Sequence, residues 1–199
     1  MEDLKAINRL IDSLTRLPSV GYKSAERMAY ALLNMSNEEV DELANSIKNL
    51  KTEIHQCPIC GLYTQKDKCE ICLDNSRDQH TLIVISNAKE VTHFEKINTY
   101  HGLYHVLNGN ISAIKGIGIN DLNVASLLER VKKNDIKEII IATDATVEGE
   151  TTALYLAKMF ENNKNITISR LAYGLPMGGH IDYADSLTIS KALEGRKKI

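Results

Sequence analysis

The 199-residue chain contains four cysteines, and they fall in two C-x-x-C pairs, Cys57 with Cys60 and Cys69 with Cys72, inside the stretch QCPICGLYTQKDKCEICLDNSRD. Thiolates are soft ligands, and two turns that each offer a pair supply four donors for tetrahedral zinc. Pro58 and Gly61 are the residue types such turns need. A set of four leaves no coordination position open to water or substrate, so the spacing predicts one structural zinc per chain and not a catalytic one. A disulfide staple would suit an oxidising compartment. The start, MEDLKAINRL, carries acidic residues where a secretion signal carries basic ones, and it lacks a continuous apolar stretch. That pattern predicts a cytoplasmic protein with reduced thiols. A redox centre of the thioredoxin kind would open a helix beside a strand, which neither pair is expected to do. His55 is read as a surface histidine beside the knot.

A second set of reactive groups is acidic. In EIIIATDATVEGETTALYLAKMF an apolar run leads straight into Asp144, Glu148 and Glu150 ahead of a helical pattern. Carboxylates beyond the carboxyl end of a strand can bind magnesium, which makes these three a candidate weak magnesium site. Glu148 and Glu150 equally suit a helix N-terminus through its dipole, and spacing leaves both readings open.

The third set is basic. LPSVGYKSAERMAYALL, residues 17–33, has the form of a helix, a tight hairpin and a second helix. Gly21 lets backbone amides at the start of the second helix face outward toward a phosphate, and Lys23 and Arg27 add positive charge one turn apart. Residues 13–34 hold Arg16, Lys23 and Arg27 against Glu26 alone, so this patch is basic although the chain's formal charge is −2. A helix-hairpin-helix that binds DNA without regard to sequence is the expectation. A G-I-G at Gly116 to Gly118 follows a strand-like run and reads as a loop. No G-x-x-x-x-G-K-[ST] is present, so ATP hydrolysis of the P-loop kind is not expected.

These groups need a scaffold, and the hydrophobic period changes along the chain to supply it. Leu4, Ile7, Ile11 and Leu14 recur at helical spacing, as do Ala25, Met28, Ala29, Leu32 and Leu33. A third helix opens on Ser36 and Glu39 as a capping box and continues with Val40, Leu43, Ile47 and Leu50 on one face. After the cysteines, TLIVIS, GLYHVL, EIIIAT and ITISRLAYG read as strands, with helices near 88–98, 121–133 and 149–162 between them. Alternating strands and helices predict a mostly parallel sheet covered on both faces. The fold class is therefore α/β with a small all-α unit in front. The expected divisions are 1–55 helical, 56–78 zinc knot, 79–175 α/β, and 176–199 a C-terminal segment with a helix and a basic tail. With 25% of residues charged and no apolar run of roughly 20, no membrane span is expected.

Taken in order, the helix-hairpin-helix, the paired C-x-x-C, ATDATVEGE and YGLPMGGHIDYADSLTISKALEGR resemble the bacterial RecR family of recombination mediators, over almost the whole chain. The resemblance implies a Toprim domain for the α/β part and a non-enzymatic, DNA-binding role in recombinational repair. It also implies work with RecO and RecF proteins to help load RecA on single-stranded gaps, and a self-assembled, tetrameric ring. Carried onto this chain, the zinc ligands are Cys57, Cys60, Cys69 and Cys72, and the hairpin residues are Gly21, Lys23 and Arg27. Catalytic Toprim domains use a glutamate after the first strand and a D-x-D pair after a later one. Here those places hold Ser86, and Asp144 with Thr146, while Tyr173 and His180 stand where the family often has a histidine and an acidic residue. The alternative, a magnesium-dependent Toprim nuclease or primase, lacks two carboxylates. The stripe of Leu4, Ile7 and Ile11 is the candidate ring contact.

Overall fold

The structure, a computed structural model, describes residues 4–196 and Lys198. It divides between Ile54 and His55 into two compact units.

The first unit is helical: α1 (Lys5–Leu14), α2 (Tyr22–Leu32) and α3 (Asn37–Glu53). Ala25 and Ala29, one turn apart on α2, present almost no side chain, so α1 seats Ile11 directly against them, with Ile7, Leu10, Leu14 and Val20 around the contact. The candidate ring stripe is thus partly consumed at home: Ile11 is buried, while Leu4 stays half exposed. α3 begins on the expected capping box, with Ser36 Oγ accepting from the Glu39 amide at 3.2 Å and Glu39 accepting from the Ser36 amide at 2.8 Å. It buries none of its residues, and Leu43, Ile47 and Leu50 lie exposed along it.

The second unit opens with a two-stranded antiparallel ribbon, β1 (His55–Gln56) with β2 (Tyr63–Thr64), and the one-turn helix α4 (Glu70–Leu73). The α/β part follows as β3 (Thr81–Ile85), α5 (Val91–Ile97), β4 (Leu103–Val106), α6 (Val124–Lys133), β5 (Glu138–Ala142), α7 (Val147–Phe160) and β6 (Thr167–Arg170), and α8 (Ser186–Glu194) comes last. Its four strands are all parallel, in the order β4-β3-β5-β6. Side chains alternate across a strand, so each strand feeds two cores. Leu82, Val84, Leu103, Ile139 and Ile141 pack under α6 and α7, against Leu127, Val131, Ala153, Leu156 and Phe160. Ile83, Ile85, Tyr104 and Val106 face the other way, and there α5 supplies only Val91 and Phe94. Much of the rest of that face is covered by Cys57, Cys60, Leu62 and Cys69, with Tyr100 beside Tyr104. The cysteine knot is therefore part of the sheet's second layer, in place of a longer helix.

Candidate functional site

Local backbone geometry places the four cysteines. The Cys57 amide donates to the Leu62 carbonyl at 2.7 Å and the Gly61 amide to the Cys57 carbonyl at 2.9 Å, which closes the first knuckle. Gly61 sits at φ +77°, and a Cβ there would lie 2.8 Å from Asn123 Nδ2 and 2.9 Å from the Val106 carbonyl. That close approach lets the Val106 amide donate to the Cys60 carbonyl at 2.7 Å, pinning the knuckle to the end of β4. The second pair uses α4, with Cys69 as N-cap and Cys72 in its only turn. So one pair does open a helix, contrary to the sequence reading. The redox alternative fails on assembly instead: all four Sγ atoms lie within 4.8 Å of one another, and Cys60 and Cys69 are 3.4 Å apart. Tetrahedral zinc with Zn–S bonds near 2.3 Å separates its sulfurs by about 3.8 Å, so the donors fit the metal. Hydrogen bonding from Cys60, then from Cys72, draws the Cys69 thiol far below its usual range, while the Cys60 thiol is pushed up by its bond to Cys69 and by burial. Zinc is bound by thiolates, so metal uptake at this cluster releases the thiol protons. Among the described residues no other histidine, cysteine or acidic side chains gather in this way, and His55 is not part of the cluster.

The acidic residues sit where the sheet topology reverses. From β3 the chain moves outward to β4, then returns to β5 on the opposite side of β3, so the carboxyl ends of β3 and β5 flank the crevice in which α/β sheets take ligands. Ser86 is fully buried there and donates to Asn110 Oδ1 at 2.8 Å, and Asn110 donates to Asp144 at 3.1 Å. Glu150 is not free. Its carboxylate accepts from the Arg170 guanidinium and from the Tyr173 hydroxyl, and Arg170 also donates to Thr143 Oγ1 at 2.8 Å and lies over the Tyr173 ring. Burial pushes the Glu150 carboxyl up, but the bonds from Tyr173 and Arg170 outweigh it and hold it below the ordinary range. Asp144, Glu148 and Glu150 do not converge as a three-ligand group. Arg170, at the end of β6, puts a positive charge on the Glu150 carboxylate and donates to the Asp144 backbone carbonyl at 3.4 Å.

Sequence reasoning missed Arg170. Its signal exists, because β6 pairs with β5 and Arg170 falls opposite Ile141, but it appears only once that register is known. Tyr173 departs from the family pattern, and the structure gives it a task, the second donor to Glu150. Gly149 was also missed. A Cβ there would fall 2.0 Å from the Asp144 carbonyl oxygen, so only glycine lets α7 start this close to the end of β5.

In the first unit the hairpin is a turn in which the Val20 amide donates to the Leu17 carbonyl at 3.2 Å. Pro18 takes its second position and Ser19 its third, at φ +66°, the left-handed geometry of a type II turn. The residue that needs glycine's freedom is therefore Ser19. Gly21 is the N-cap of α2 at φ −82°, and nothing lies within 4 Å of where its Cβ would be. The space beside the first turn of α2 is therefore open at this position. Lys23 is 94% exposed and only 4.0 Å from Glu26 at best, a pair worth little in water, and Arg16 and Arg27 are exposed as well.

Fold and site together define a zinc-bearing Toprim protein with a helix-hairpin-helix unit in front. Family models agree element by element: RecR helix-hairpin-helix at residues 7–51, the RecR four-cysteine zinc finger domain at 54–74, Toprim domain at 80–172 and RecR C-terminal at 174–197. The chain is 47% identical to recombination protein RecR of Ligilactobacillus salivarius over 200 residues, the whole of both chains. It is 47% identical to that of Lactiplantibacillus plantarum over the same span, and 44% to that of Enterococcus faecalis over 97% of each chain. The chain belongs to the RecR family of recombination proteins, and its four cysteines form the family's structural zinc site. Among the described residues, no helix is long and apolar enough to cross a membrane.

Proposed function

We propose that this protein is a non-enzymatic, DNA-binding mediator of recombinational repair that works in the cytoplasm with RecO and RecF proteins to help load RecA on single-stranded gaps. The observation that carries the DNA contact is the exposed hairpin: Gly21 leaves the α2 N-terminus open, and Lys23, Arg27 and Arg16 surround it with charge that has no strong partner among the described residues. Such a surface reads phosphate and not base identity. The exposed apolar face of α3, with Leu43, Ile47 and Leu50, is available for self-assembly into a ring, which would bring several weak hairpins to one DNA at high effective concentration. Arg196 and Lys198 of the C-terminal tail would add to this, although Lys197 and Ile199 lie outside the described residues. The alternative, a magnesium-dependent nuclease or primase, needs carboxylates free for metal, and Glu150 is engaged by Arg170 and Tyr173. A magnesium role for Asp144, Glu148 and Glu150 is correspondingly the weaker proposal.

The test is binding to single-stranded, duplex and gapped DNA across a salt series, with and without RecO. Affinity should fall steeply with salt and vary little with sequence. Lys23→Glu with Arg27→Glu should remove most binding and lower the salt slope by roughly 2 for each hairpin engaged on duplex. A double variant that binds as tightly as the parent at equal salt would reject the hairpin as the contact.

A further inference from the structure

Arg130 is a buried cation that no carboxylate among the described residues pairs with. It lies on α6 and is 5% exposed, with one terminal nitrogen donating to the Tyr104 carbonyl at 2.7 Å and the other 4.0 Å from Cys72 Sγ. Its Nε has no hydrogen-bond partner. The two other arginines held inside this unit are paired with acids, Arg77 with Glu95 and Asp74, and Arg170 with Glu150. Among the described residues no acidic side chain forms an ion pair with Arg130. A guanidinium does not escape burial by losing its proton, and an uncompensated buried charge is strongly disfavoured. The fold must therefore supply an anion, and the anionic group within reach is the Cys72 thiolate.

The zinc site has the complementary problem. Four thiolates around one zinc(II) carry a formal charge of about −2, and Cys57, Cys60 and Cys69 are buried. Arg130 reaches this cluster from the α/β core. We propose that Arg130 is the counterion of the zinc centre, its guanidinium donating to the Cys72 thiolate and offsetting the charge that zinc leaves uncancelled. Each charge is tolerable because of the other. Because the same guanidinium holds the Tyr104 carbonyl of β4, metal retention is tied to the seating of α6 against the sheet edge, and the zinc centre reports on the packing of the Toprim domain. Groups that orient and polarise a metal's ligands from outside typically change its affinity 10–100-fold when removed.

The experiment measures zinc transfer from the purified, zinc-loaded full chain to an excess of a chromogenic chelator. Arg130→Gln removes the charge, and Leu127→Ala, one turn earlier on α6 and buried in the opposite core, is the control for general loosening. The expected result is zinc retention weakened about 10–100-fold by Arg130→Gln and left near the parent's by Leu127→Ala. Retention by Arg130→Gln within about twofold of the parent would overturn the proposal, and so would equal zinc loss from Leu127→Ala. Should Arg130→Gln fail to fold, Arg130→Lys keeps the charge and loses the fork. The proposal then requires a folded, zinc-loaded protein, and an Arg130→Lys chain that is unfolded or zinc-free overturns it.

Discussion

Gly149→Ala should be among the most damaging single-methyl changes in the α/β unit. The added Cβ would stand 2.0 Å from the Asp144 carbonyl oxygen and 2.9 Å from its carbon, both backbone atoms that no rotamer change can move. The start of α7 must then back away from the end of β5 by about 1 Å, since real Cβ contacts do not fall below 3.0 Å. Two hydrogen bonds hold it in place: Thr146 Oγ1 accepts from the Gly149 amide at 3.1 Å as the helix cap, and Thr143 Oγ1 donates to the Gly149 carbonyl at 2.8 Å. Losing the cap costs about 1 kcal/mol, losing the second bond about 1 kcal/mol, and the residual crowding roughly 1–3 kcal/mol. The helix preference of alanine over glycine returns about 1 kcal/mol. The net is a loss of about 3 kcal/mol, or a fall of roughly 6–12 °C in Tm for a unit of this size. Thermal unfolding followed by circular dichroism checks it, with Gly174→Ala, whose Cβ would meet nothing within 4 Å, as the comparison. A Gly149→Ala midpoint within about 2 °C of the parent would show that the loop relaxes freely and that glycine is not required here.

Acid should weaken the same unit through His105. Its Nε2 must donate to the Asn123 carbonyl at 2.7 Å, leaving Nδ1 buried without a partner, which a lone pair tolerates and a second N–H does not. Burial lowers its pKa to about 4, with Arg130 adding to the fall and the Asn123 carbonyl opposing it. The unfolded chain therefore takes up a proton near pH 6.5 that the fold refuses, and stability drops as pH falls from about 6.5 toward 4, by about 2 kcal/mol at pH 5. Urea midpoints at pH 7.5 and pH 5 should differ less in His105→Leu than in the parent, and equal losses in both would assign the acid sensitivity elsewhere. For Glu150 the depressed carboxyl works at lower pH: its contribution is present above the ordinary carboxylate range and lost as pH falls through its own, lower value. Arg170→Met should thus lower stability at neutral pH and flatten the loss below about pH 4.5, and an unaltered acid branch would show that Arg170 does not hold Glu150.

What the sequence revealed and what it hid follow from how local each signal is. The cysteine pairs, the capping box at Ser36 and Glu39, and the four strands are written in neighbouring residues, and the structure places each close to where spacing puts it. The partners that complete the sites come from far along the chain. Arg130 meets Cys72 across 58 residues, Arg170 meets Glu150 across 20, and Val106 reaches Cys60 to fasten the first knuckle. None follows from periodicity, because each depends on which strand lies beside which. β6 beside β5 brings Arg170 to the carboxylates, and β4 at the sheet edge brings the knuckle to α6. The same logic explains Gly21 and Ser19. A glycine at the head of a helix suggests a special backbone angle, yet the turn needs its left-handed residue at the third position, two places earlier, and Ser19 takes it. Gly21 is then free of any conformational demand, with open space where a side chain would be. The fold itself makes no demand for glycine there, so a methyl added by Gly21→Ala should leave the helical unit's stability near the parent's, and a duplex-binding titration of that variant reads the hairpin contact proposed above apart from folding.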